Sequence, residues 1–70
     1  MNTKYYTLIL RATKGSKWVI VGGDYDRQTM IDERRDFIDH GERAHNLMII
    51  YTNELQSDID HKIDELNRDI

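Results

Sequence analysis

The sequence predicts an α+β domain of ββαβα order, with a three-stranded antiparallel sheet in the order 2-1-3 and two helices. Three observations predict it. Two strand-like runs flank a turn at Gly15, which marks a hairpin. The stretch Gly22 to Gly41, GGDYDRQTMIDERRDFIDHG, then reads as a glycine bend, an aspartate cap, a helix and a closing glycine. A lone apolar run and a second helical pattern follow it.

The first strand is read from KYYTLILRAT, residues 4–13. Tyr6, Leu8, Leu10 and Ala12 alternate on one face, and Tyr5, Thr7, Ile9 and Arg11 take the other. The second face also carries apolar groups, which suits a central strand covered on both sides. TKGSK, residues 13–17, makes the turn, with Gly15 free to adopt a positive φ. WVIVG, residues 18–22, is the second strand, rich in β-branched side chains. Gly22 and Gly23 are expected to bend the chain into the first helix.

Asp26 is the expected N-cap of that helix. Met30, Phe37 and Ile38 form a thin apolar stripe, widened by Ile31 and by the aliphatic stem of Arg34. Gly41 ends the helix in a left-handed conformation. NLMIIYT, residues 46–52, is the third strand, reached by a right-handed crossover that leaves strand 1 in the middle. Asn53, with Gln56 three residues on, has the spacing of a capping box. Leu55, Ile59, Ile63, Leu66 and Ile70 then recur at helical spacing as a narrow seam among charges. The expected core is Tyr6, Leu8, Leu10, Ile20, Phe37, Ile49 and Tyr51. The seam's upper part, Leu55 and Ile59, is expected on the sheet beside the first helix, and its lower part against a second copy in a homodimer.

Seventy residues make a single domain, 1–70, without cysteine or proline. A chain this short buries only about 60% of its unfolded surface. No disulfide or thiol metal site reinforces it, and oligomerisation is one remedy. The apolar run Tyr5 to Leu10 is too short for a signal peptide or a membrane span, so a cytoplasmic protein is expected, with no membrane partner.

Net charge is −3, unevenly spread. Residues 1–17 carry Lys4, Arg11, Lys14 and Lys17 and no acid, a sum of +4. Residues 54–70 carry six acids against Lys62 and Arg68, a sum of −4. Two complementary surfaces of this kind suit the docking of a protein partner.

The chemistry-bearing side chains make no catalytic pattern. Ser16 and Ser57 stand in no nucleophile elbow, and two carboxylates on one helix need a pocket to act together. His40 with Asp36, and His61 with Asp58, share helix faces, as surface acids and histidines often do in a chain with thirteen acids. No metal or other cofactor is expected. The GGDYDR segment resembles a phosphate-binding turn in its glycines only, since Asp24 and Asp26 repel anions. Lys4, Arg11, Lys14, Lys17 and Trp18 form a basic, aromatic hairpin that offers an alternative function in nucleic-acid binding.

Trp18, then GDYDR at Gly23 to Arg27, then an acid-rich helix and a short apolar strand, together resemble small uncharacterised proteins encoded in phage and prophage genomes. The likeness spans roughly residues 5–52 and carries no catalytic motif. It implies an accessory role, with the chain binding and blocking a larger host or defence protein. The leading expectation is therefore a non-enzymatic protein-binding module, with the seam Leu55, Ile59, Ile63, Leu66 and Ile70 as its contact surface.

Overall fold

A computed structural model describes residues 4–68. In order it has β1 (Lys4–Leu10), β2 (Val19–Asp24), α1 (Arg27–Asp39), a 3-10 turn (Ala44–Asn46), β3 (Leu47–Asn53) and α2 (Gln56–Asn67). The strands form one antiparallel sheet in the order β2-β1-β3. The ββαβα pattern and the central place of strand 1 are thus as the sequence predicts.

β1 is central because it is apolar on both faces. Leu8 and Ile9 are adjacent, point to opposite faces, and are both fully buried. Each face therefore has its own cover. On the Leu8 face, α1 packs Met30 against Leu8 and Leu47, with Phe37 and Ile38 half-buried beside them. On the Ile9 face, α2 packs Ile59 and Ile63 against Ile9, Ile50 and Trp18.

This arrangement corrects the expectation that α2 starts beside α1. A sheet with Ile9 and Ile50 on its second face leaves that face wet unless something covers it, and burial at about 25 cal/mol per Å² favours α2 there. The core shifts accordingly. Leu8 is buried as expected, and Tyr6, Leu10, Phe37 and Ile49 are half-buried. Ile20 and Tyr51 are exposed, at 46% and 64%, and both lie on edge strands.

Other boundaries move for local reasons. β1 stops at Leu10, and Trp18 precedes β2 instead of starting it. β2 runs on through both glycines to Asp24, with a shift in register opposite Leu8 and Ile9. A β-carbon on Gly22 would meet the Glu33 carboxylate, and one on Gly23 would meet the Tyr5 ring. These glycines thus permit close approach in addition to bending the chain. Gly15 and Gly41 do adopt positive φ, at 97° and 109°.

Asp26 caps α1, accepting the Gln28 amide at 3.2 Å and the Thr29 hydroxyl at 3.1 Å. The expected Asn53 cap on α2 does not form. Pairing with Lys4 holds Asn53 in β3, and the helix begins after Leu55 instead. Gln56 turns to Asp60 within the helix, at 2.9 Å. The far end of α2 is held by Asn67. Its Oδ1 accepts the Trp18 amide at 2.7 Å, and its Nδ2 donates to the Trp18 carbonyl at 3.2 Å. Among the described residues, no helix is long and apolar enough to cross a membrane.

Candidate functional site

The topology brings the start of β1, the end of β2 and the end of β3 to one edge of the molecule. All four tyrosines of the chain lie there: Tyr5 and Tyr6 on β1, Tyr25 just after β2, and Tyr51 on β3. Strand alternation sorts them into one pair on each face of the sheet. Tyr5 and Tyr25 meet edge to face, with ring centroids 4.9 Å apart and an interplanar angle of 78°. Tyr6 and Tyr51 sit side by side on the other face at 6.3 Å, tilted by 42°.

Each pair is anchored. The Tyr5 ring lies over Gly23, where a β-carbon would obstruct it. The Tyr25 hydroxyl donates to Glu54 Oε2 at 2.8 Å, bridging the end of β2 to the end of β3. That carboxylate favours the neutral phenol and raises the Tyr25 pKa above its ordinary value. The Lys4 ammonium stands 5.5 Å above the Tyr51 ring centroid. The rings are fixed in place yet open to solvent. Tyr25 is 57% exposed, and Leu55, at the start of α2, adds an aliphatic side chain exposed at 60%. Asp24, Asp26, Arg27, Lys4 and Glu54 give the rim charges of both signs.

The surface expected from the seam is mostly internal. Ile59 and Ile63 are core residues and Leu66 packs beside them. Among the described residues of the seam, Leu55 alone is well exposed, and it belongs to the tyrosine end. Ile70 lies outside the described residues.

The basic hairpin is also dispersed. Trp18 is buried beneath α2 and offers no open ring for base stacking. Arg11 stacks over Trp18 at 4.7 Å, and its guanidinium donates to Asn46 Oδ1 at 3.0 Å and to the His45 carbonyl at 3.1 Å. Lys4 is at the opposite end of β1. Lys14 and Lys17 remain as exposed cations at the turn. Of the histidines, His40 pairs through Nδ1 with the Asp36 backbone carbonyl at 2.6 Å, not with its carboxylate. Among the described residues, no group of three or more metal-ligating side chains is placed to hold an ion.

The tyrosine end was not legible as a site in the sequence. Tyr5, Tyr6, Tyr25 and Tyr51 are spread over 47 positions and converge only when strand order and register are known. Their shared proximity to strand ends was the available signal. The fold and surface define a small α+β domain with an aromatic, mixed-charge end. No family model matches the sequence, and neither curated proteins nor solved structures give a match.

Proposed function

We propose that the chain is a non-enzymatic protein-binding module that occupies a surface of a larger protein, as an inhibitor or adaptor does, and that the tyrosine end makes the contact. One observation carries this reading: all four tyrosines converge, pre-positioned and partly exposed, at one end of the sheet. Tyrosine supplies large amphipathic contact area at low entropic cost, and it is enriched in interface hot spots. Rings already fixed by Gly23, Glu54 and Lys4 lose little further freedom on binding. The phage-protein resemblance makes a host or defence protein the target this reading favours.

Nucleic-acid binding has less support. The rim of the tyrosine end holds three acids, and the hairpin keeps only Lys14 and Lys17 free of the contacts that occupy Lys4, Arg11 and Trp18.

The test compares the tagged chain with its Tyr25→Ser/Tyr51→Ser variant in nuclease-treated bacterial lysate. Both residues are exposed, so the variant is expected to fold. A protein retained by the wild type in high salt and lost with the variant is the expected result. Retention of nucleic acid that weakens steeply with salt, and disappears in Lys14→Gln/Lys17→Gln, would overturn the reading.

A further inference from the structure

We propose that β3 is a pairing edge, and that a second copy of this chain adds its own β3 antiparallel to it across a two-fold axis. The claim concerns the backbone edge of β3, which shares Tyr51 with the tyrosine end but uses its N–H and C=O groups and not its ring. The Arg11 amide donates to the Asn46 carbonyl at 3.0 Å, one step beyond the Leu10–Leu47 pair. Hydrogen-bonded pairs in an antiparallel ladder recur at every second residue. Ile9–Met48, Thr7–Ile50 and Tyr5–Thr52 are therefore the bonded pairs. Ile49 and Tyr51 turn their N–H and C=O groups to the outer edge. The open stretch is bracketed, since the Leu47 amide is held by the Ala44 carbonyl and the Asn53 carbonyl by the Thr52 hydroxyl at 2.7 Å.

The two edges of the sheet are unlike. β2 is broken in register and carries two glycines, a common way of blunting an edge. β3 has seven residues, LMIIYTN, in unbroken register with β1, and no charge, proline or glycine. Such an edge is a template for another strand.

Charge favours a second copy as the occupant. The strand itself is uncharged, so two copies meet without like charges opposed. Between β3 and α2 runs a groove of about 450 Å³, lined by Met48, Ile50, Lys62 and Leu66. Asp58 and Glu65 stand four residues before and three after Lys62, on its flank of α2. Two such flanks running antiparallel would offer each Lys62 the acids of the other copy's flank. Asp60 and Asp64 instead line the groove at β2, away from this edge.

The test is light scattering together with residue-resolved amide exchange on the full chain at millimolar concentration and after dilution. The expected mass is twice the 8.4 kDa of one chain. Ile49 and Tyr51 amides are protected at high concentration and lose that protection on dilution. Tyr51→Pro deletes an outward N–H without touching the bonds to β1, so it gives a monomer. Tyr51→Thr keeps the amide and stays dimeric while losing the ring, which separates this edge from the tyrosine end. A monomer with freely exchanging Ile49 and Tyr51 amides would overturn the proposal. So would a dimer that leaves those two amides unprotected. If Tyr51→Pro fails to fold, the exchange pattern of the wild type decides alone.

Discussion

Tyr25 shows how one hydrogen bond can report on the site. Its phenol donates to Glu54, and the negative charge there raises its pKa above 10.0. A group whose folded pKa is raised gives its stabilisation below the unfolded pKa and loses it as pH rises through the folded value. The link from β2 to β3 is therefore intact at neutral pH and is lost as pH rises through the raised Tyr25 value. Glu54→Gln removes the charge, and ultraviolet titration is expected to show Tyr25 ionising earlier, closer to 10.0. An unchanged titration curve would mean that Glu54 does not hold the ring. Neither partner was legible beforehand, because twenty-nine residues separate them and only the sheet brings them together.

Among the elements, α2 departs furthest from its sequence reading. The spacing of Ile59, Ile63 and Leu66 correctly marked one apolar face, while Leu55, the first member of the expected seam, precedes the helix and is exposed. The spacing did not say which surface that face would meet. The answer lay in β1 and β3, where Ile9 and Ile50 demand a second cover. The positive-φ glycines and the Asp26 cap were legible because each rests on local chemistry, and strand order because the crossover rule and the two apolar faces of β1 fix it. The Asn53 cap failed because strand pairing overrode a local motif. The Asn67–Trp18 clamp was invisible, since an asparagine near a helix end has no fixed partner in sequence. Two partly buried hydrogen bonds fix that end of α2 to the approach of β2. At about 1 kcal/mol each, Asn67→Ala is expected to cost about 2 kcal/mol. Urea melting checks the magnitude, and a red shift of Trp18 emission checks the place.

At the scale of the molecule, the two ends of the sheet divide the charge and the aromatics. One end holds Lys14 and Lys17 at a turn; the other holds four tyrosines, Leu55 and a rim of both signs. The total of −3 concealed this division, and the +4 of residues 1–17 overstated the hairpin, because Arg11 is spent on Asn46 and Trp18. A basic patch would need those cations together on one open surface. An aromatic contact end needs rings held in place and partly exposed, which this chain has. Backbone amide NMR of the isotope-labelled chain in concentrated, nuclease-treated bacterial lysate tests that claim most directly. Signals of residues 4–6, 24–26 and 51–55 are expected to broaden or shift, while those of residues 13–17 stay as in buffer. Perturbation centred on Lys14 and Lys17, with the tyrosine end unchanged, would contradict the account.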